Sequence, residues 1–320
     1  MIPYVREMTP HYEQPETVSP SVRRVLAHNP SAFTYLGTGT YLVGHGDVAV
    51  VDAGPDDPAH VDAILGALDP GERITHLFVT HRHADHVGAV AALADRTGAA
   101  TYGFPCDAPS DDQTEPLVPF VFGDPEADVD QTFSPDDAEE RTRWTFQPDV
   151  PLADGDVVTG ADWALAAVHT PGHIADHLCY ALADERLLFT GDHVMGWSTS
   201  VISPPTGDLP AYLASLERLL DRPDTWYLPT HGPAVTEPWP LVEALLAHRR
   251  ERSQQVLDAL DDGPRTIAEI VPRLYADVPK QLWQGAGASI WAHVVALAAE
   301  GELSPTDGTL TRLSRLRRSR

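Results

Sequence analysis

Four side chains able to bind a metal fall within six residues, in Thr80-His81-Arg82-His83-Ala84-Asp85-His86. Crowding imidazoles and a carboxylate so closely is costly without a compensating charge, and a divalent cation supplies one. His81 and His83 are two apart, so in an extended turn both rings can point to one side. Asp85 and His86 follow where the chain curls into a helix, and there they can face a second ion. Three further segments extend the set: Thr170-Pro-Gly-His173, Thr190-Gly-Asp192 and Pro229-Thr-His231-Gly232. Each puts a His or an Asp just after an expected strand, with Pro or Gly bending the backbone, and strand ends are rigid platforms for ligands. Singly, each reads as an ordinary loop; with the first motif they make seven candidate ligands, five His and two Asp. Nitrogen and oxygen donors without sulfur suit Zn²⁺ best, with Fe or Mn as alternatives.

Such a set points to hydrolysis. Two neighbouring cations lower the pKa of a shared water enough to give hydroxide near neutral pH. Asp85 can bind a metal and also aim that hydroxide; the electrophile would be a carbonyl or a phosphorus whose oxygen leans on a metal. No Ser or Cys nucleophile is needed. The leaving group needs a proton, and His177, four residues after His173, is the candidate donor, a supporting or packing role being the alternative. Asp52 is expected to hydrogen-bond ligand side chains from behind, with a plain turn role for Asp52-Ala-Gly-Pro55 as the alternative. Trp197, Ser198 and Thr199 follow Asp192 and are candidates for the pocket wall, although Trp is more often packing.

The elements that position these groups follow from hydrophobic periodicity. Thr40–Gly44 and Asp47–Asp52 are β-branched runs separated by Gly44-His-Gly46, a hairpin signal. Pro58–Leu68 is apolar at helical spacing, Ile74–Thr80 reads as a buried strand and Val87–Arg96 as a helix. Strands are expected again at Asp156–Val158, Trp163–Val168, Leu178–Leu182 and Arg186–Phe189, then a helix at Leu209–Leu220. The alternation predicts a layered α/β domain, with residues 1–20 as an extended lead-in. Beyond His231 come a long helix, Pro238–Leu260, a capping box at Thr266-Ile-Ala-Glu269 that opens a second, and a third at Ser289–Ala299. A small hairpin from Gly301-Glu-Leu303 and Thr309–Leu313 completes the order of a winged helix. From Arg312 the tail carries five Arg and no acid; it is expected to be a frayed end, with RNA contact as the alternative.

Composition narrows the classes. The 320 residues, 42% hydrophobic with 7 Trp, can bury a sizeable core and exclude a wholly disordered chain. No run approaches the ~20 apolar residues of a membrane-spanning helix, and Met1–Glu7 lacks the apolar stretch of a secretory signal, so a cytoplasmic protein without a membrane partner is expected. Two cysteines, Cys106 and Cys179, cannot build a disulfide framework or a four-Cys zinc site. The net charge of −25 and the absence of Lys and Arg from Ser289–Ala299 argue against duplex DNA; the apolar side of that helix suits packing or a homodimer. The 29 Pro exceed the usual ~5% share. Residues 105–150 hold 13 Asp and Glu, 2 Arg and 7 Pro, and are expected to form a lid or rim over the site.

The sequence resembles the metallo-β-lactamase superfamily, with His-x-His-x-Asp-His intact at 81–86 and the later His, Asp and His in order. The resemblance runs from about Val22 to the C-terminus and is greatest to the β-lactamase-like protein 2 group. It is carried by Asn29-Pro30, Gly37-Thr-Gly-Thr-Tyr-Leu-Val-Gly44, Asp52-Ala-Gly-Pro55, Thr170-Pro-Gly-His-Ile-Ala-Asp-His177 and Gly191-Asp192. The resemblance implies an αββα sandwich over residues 1–236, with the metals at one edge, and a small winged-helix domain over 237–320. It implies two Zn²⁺ per chain: His81, His83 and His173 for the first, Asp85, His86 and His231 for the second, Asp192 bridging. Two departures from the group stand out, a longer 105–150 segment and Thr230 where Gly is common. The function expected is hydrolysis of an ester, lactone, thioester or amide in a small-molecule substrate. Phosphodiester hydrolysis, with RNA as partner, is the alternative; the single Lys280 and the acidic segment weigh against it. A mononuclear iron sulfur dioxygenase ranks third, since it would need neither Asp85, His86 nor His231.

Overall fold

The structure, a computed structural model, describes residues 1–105, 120, 122 and 146–319. Seven strands form one sheet in sequential order: β1 (Pro15–Ser19), β2 (Val22–Leu26), β3 (Gly39–Val43), β4 (Asp47–Val51), β5 (Arg73–Phe78), β6 (Ala100–Gly103) and β7 (Val150–Pro151). Five form a second, in the order β12 (Trp226–Pro229), β11 (Leu187–Gly191), β10 (Leu178–Leu182), β9 (Ala164–His169) and β8 (Val157–Thr159).

The apolar runs are continuous because both faces of each sheet are covered. On β3 and β4, Tyr41, Val43, Ala49 and Val51 point inward between the sheets, while Leu42, Val48 and Val50 point out against helices. On β10, Leu178, Tyr180 and Leu182 face the other sheet, and Cys179 and Ala181 face away. Helices α1 (Pro58–Gly66), α2 (Ala84–Val87) and α3 (Val90–Thr97) follow β4 and β5, and α1 and α3 cover the first sheet. Helix α4 (Leu209–Leu220) covers the second; Asp208 caps it by accepting from the Ala211 N–H at 2.8 Å, and Leu216 and Leu219 are fully buried. The result is the αββα sandwich.

Strand direction sets where the site falls. β4 and β5 are parallel, as are β11 and β12, and β10 is antiparallel to both β9 and β11. The residues that follow β5, β9, β11 and β12 therefore emerge together at one edge of the sandwich.

The C-terminal part consists of α5 (Pro238–Asp258), α6 (Ile267–Leu274), α7 (Trp283–Ala299) and a two-stranded sheet of β13 (Leu303–Pro305) and β14 (Leu316–Arg318). The capping box is present, Thr266 Oγ1 accepting from the Glu269 N–H and Glu269 Oε2 from the Thr266 N–H. Helix α5 belongs to both parts: Leu241, Val242, Leu245 and Leu246 pack with α4, while Val256 and Leu257 pack with Ile267, Ile270, Ile290 and Val294. The third helix begins at Trp283, six residues before Ser289. Its His293 is fully buried and bonded to Ser253 Oγ at 2.8 Å.

The arginine-rich tail departs from expectation. It is not frayed: β14 lies in it and supplies the wing strand expected at Thr309–Leu313. Leu316 is fully buried, Arg318 bonds Asp261 at 2.7 Å and Arg315 lies 3.3 Å from Glu269. A core leucine and nearby acids order a segment whose composition alone suggests disorder.

The expected lid over 105–150 falls largely outside the described residues. Phe120 is described, and it is a core residue of the C-terminal part. It is 2% exposed, exchanges two backbone bonds with the Gln284 side chain, and lies under the Arg312 guanidinium at 4.7 Å. A Cβ on Gly287 would come within 2.4 Å of its ring. Among the described residues, no helix is long and apolar enough to cross a membrane.

Candidate metal centre

All seven candidate ligands meet at the expected edge. His81, His83 and His173 form one group; Asp85, His86 and His231 form another; His81, His86 and Asp192 a third. Within each group the ligand atoms lie within 4.8 Å of one another. His83 Nδ1 is 2.8 Å from His81 Nε2 and 3.0 Å from His173 Nε2. On the other side, His231 Nε2 is 3.1 Å from Asp85 Oδ2. Asp192 faces both: its Oδ1 is 3.5 Å from His86 Nε2 and 3.4 Å from His231 Nε2, and its Oδ2 is 3.7 Å from His173 Nε2.

The backbone explains the convergence. β5 ends three residues before His81, and the chain then turns into α2, whose single turn carries Asp85 and His86. β11 ends at Gly191, which has φ 49°. A Cβ there would stand 2.6 Å from His177 Nε2 and 2.9 Å from Thr80, so only glycine lets Asp192 turn into the site. β12 delivers Thr230 and His231, and the Gly39 N–H donates to the Thr230 carbonyl at 2.7 Å, joining the two sheets beside the ligands.

Protein oxygens set the ring orientations. In four of the five rings, His83 excepted, the outward nitrogen faces an acceptor: His81 Nδ1 faces Thr80 Oγ1 at 3.0 Å, His86 Nδ1 faces Asp52 Oδ2 at 2.8 Å, and His173 Nδ1 faces the Val201 carbonyl at 2.6 Å. His231 Nδ1 faces the Gly37 carbonyl at 3.3 Å. Assigned from these partners, Nδ1 of these four rings carries the proton and Nε2 offers its lone pair inward, whereas His83 turns its Nδ1 inward. Asp52 is the hub. It is fully buried at φ 54° and accepts from His86, the Thr80 N–H, Thr80 Oγ1 and Thr230 Oγ1. Thr230, the departure seen in the sequence, thus ties β12 to β4 at 2.6 Å.

The donor set fits a divalent cation. His86 Nε2 and Asp192 Oδ1 are buried with no hydrogen-bond partner, an unfavourable arrangement unless something binds them. The electrostatics agree. Burial, reinforced by His173, pushes the pKa of His83 down to about 3. Burial also opposes charge on His86, but Asp52, Asp85 and Asp192 outweigh it and raise its pKa well above the usual range. Burial would raise the pKa of Asp192; His231 and His86 overcome it and hold the carboxyl well below the usual range. The pocket favours neutral imidazoles on one side and carboxylates facing a positive charge on the other.

His177 lies behind Asp192. It is fully buried; its Nε2 accepts the Asp192 N–H at 3.2 Å and its Nδ1 faces Thr170 Oγ1 at 2.9 Å. Both nitrogens have protein partners, and burial lowers its pKa well below the usual range. Trp197 is half-buried and stacks on Tyr35 at 4.9 Å, beside Gly232. Sequence reasoning did not single out Thr80 or the Gly37 and Val201 carbonyls. Thr80 stands inside the quoted motif and so carried a signal; a backbone carbonyl carries none.

Fold and site together define the class: the chain belongs to the metallo-β-lactamase superfamily, whose domain matches residues 35–231, and residues 266–308 match the β-lactamase associated winged helix domain. It is a hydrolase of that superfamily, and its similarity is to proteins named β-lactamase-like protein 2 homolog. That of Drosophila melanogaster is 32% identical over 292 residues, 88% of this chain and 89% of that protein; that of Caenorhabditis elegans is 31% identical over 273 residues, 84% and 81%. An atrochrysone carboxyl ACP thioesterase of Cryptosporiopsis sp. (strain 8999) is 30% identical over 284 residues, 84% and 76%. Among solved structures, a β-lactamase domain protein from Burkholderia ambifaria superposes with a TM-score of 0.77 at 21% identity, over 99% of this chain and 97% of that one, which supports the fold.

Proposed function

We propose that this protein is a dinuclear zinc hydrolase that cleaves an acyl carbonyl compound, with a thioester as the leading substrate class. The observation that carries the reading is the pair of ligand clusters sharing Asp192. His81, His83 and His173 would hold one cation, and Asp85, His86 and His231 the other. Bound there, two divalent cations supply Lewis acidity and lower the pKa of a water at the site.

The chain's own residues do the rest. Asp85 orients the attacking water by accepting its hydrogen bond; its side chain is 28% exposed against 12% for Asp192, so it is the ligand carboxylate that reaches the solvent side. Asp52 and Thr80 keep His86 and His81 in their inward-facing tautomers. Asp192, pinned through its backbone by His177, stays between the clusters. With both His177 nitrogens held by protein partners, leaving groups that depart without a proton are favoured. A thiol has a pKa of about 8.5, so a thiolate leaves more readily than an alkoxide or an amide nitrogen. The thioesterase name of one relative points the same way.

The nucleic-acid reading is second. Two of the tail arginines, Arg315 and Arg318, are in ion pairs with Glu269 and Asp261, and α7 brings no Lys or Arg, which weighs against RNA and duplex DNA. A panel of an acyl-CoA thioester, an aryl ester, a lactone, an anilide and a phosphodiester, each measured as kcat/KM on zinc-loaded protein, tests the assignment. The highest value is expected on the thioester, abolished by chelation; a higher value on the phosphodiester contradicts it.

A further inference from the structure

The ligand His173 is held in place from the C-terminal part of the chain. Its Nδ1 donates to the Val201 carbonyl at 2.6 Å, which leaves Nε2 facing His83. One residue back, the Ser200 carbonyl accepts a hydrogen bond from Arg249 Nη2. Arg249 lies on α5, 3% exposed, with Nη1 3.4 Å from Ser289 Oγ on α7 and its guanidinium 5.5 Å from the centroid of Tyr212 on α4. Ser200 and Ile202 are each 2% exposed and flank Val201, which is 44% exposed. The segment is thus fixed by its first carbonyl and its last side chain, and the carbonyl between them points at the ligand. A guanidinium is costly to bury unless its donors are used, and here one donor is spent on the backbone behind a metal ligand.

We infer that Arg249 is a positioning residue of the metal centre: by clamping the Ser200 carbonyl it fixes the Val201 carbonyl, and so the tautomer and aim of His173. The C-terminal part, through α5, then supports the hydrolase site. The inference rests on the reading of His173 as a ligand, and concerns the first cluster alone, because the described contacts of Asp85, His86 and His231 do not pass through Ser200 or Val201.

Titration of the metal-free, full-length protein with Co²⁺, followed by its visible absorption, tests it. Arg249→Met should weaken one equivalent by about tenfold or more and leave the other unchanged, and Arg249→Lys, which can still reach the Ser200 carbonyl, should restore most of the loss. His173→Ala should abolish that same equivalent. Arg249→Gln is measured in parallel and decides by the same criterion if the Met variant does not fold. Wild-type affinity for both equivalents in the Met or Gln variant, or equal weakening of both, overturns the inference while the ligand reading stands. Retention of both equivalents by His173→Ala overturns the ligand reading and the inference with it.

Discussion

Thr230 bonds the same carboxylate oxygen that holds His86, so one buried aspartate after β4 supports three side chains that follow β5 and β12. Its charge keeps the His86 proton on Nδ1 and the lone pair on Nε2. Asp52→Asn keeps the volume and loses the charge; it is expected to weaken Zn²⁺ binding at the His86 cluster roughly 10–100-fold, read by competition with a chromophoric chelator. Unchanged affinity would leave Asp52 as a turn residue. His177 gives the opposite expectation. His177→Gln should lower kcat/KM because the Gly191–Asp192 turn loosens, yet leave the apparent pKa values of the pH–rate profile in place. Disappearance of the limb due to a catalytic acid would restore His177 as the proton donor.

At the scale of elements, the C-terminal strand is where sequence and structure part most clearly. Deleting Arg312–Arg320 removes β14, and with it the buried Leu316 and the pairing of Leu303 with Arg318. The truncated protein is expected to melt several degrees lower and to be cleaved by protease between α6 and β13; an unchanged Tm would mean the tail is dispensable. The sequence hid this strand because Leu316-Arg-Arg318 has one apolar residue in three, and its partner, Leu303-Ser-Pro305, is as short. β2 was hidden for a related reason: Arg23 and Arg24 interrupt Val22-Arg-Arg-Val-Leu26, and their heads find Glu72 and Glu16. β4 and α4 were legible, the first because both its faces are apolar, the second because Leu213, Leu216, Leu219 and Leu220 fall on one side of a helix. The convergence of the seven candidate ligands was legible as well, since metal-binding side chains have few other reasons to crowd at strand ends. The acceptors behind them were legible only where they are side chains.

At the scale of the whole molecule, burial leaves a signature at high pH. Burial raises the pKa values of Cys179, Tyr41 and Tyr212 to about 12, from 9.0 for the thiol and 10.0 for the phenols. Each group is neutral when folded and ionises earlier when unfolded, so its contribution is complete below about pH 9 and is lost as pH rises toward 12. Urea midpoints of the metal-free protein should fall between pH 8 and pH 10.5; a flat dependence contradicts the burial of these groups. The net charge of −25 and the ion pairs of Arg315 and Arg318 also predict no binding of a random duplex at near-physiological salt, checked by fluorescence anisotropy; binding with a steep negative salt slope contradicts it.

The central claim is that two ligand clusters meet at Asp192 and hold two ions. Elemental analysis of zinc-reconstituted, desalted protein tests it most directly. Two Zn²⁺ per chain are expected, falling to one in His173→Ala and one in His231→Ala. A firm single equivalent in the unsubstituted protein would contradict it.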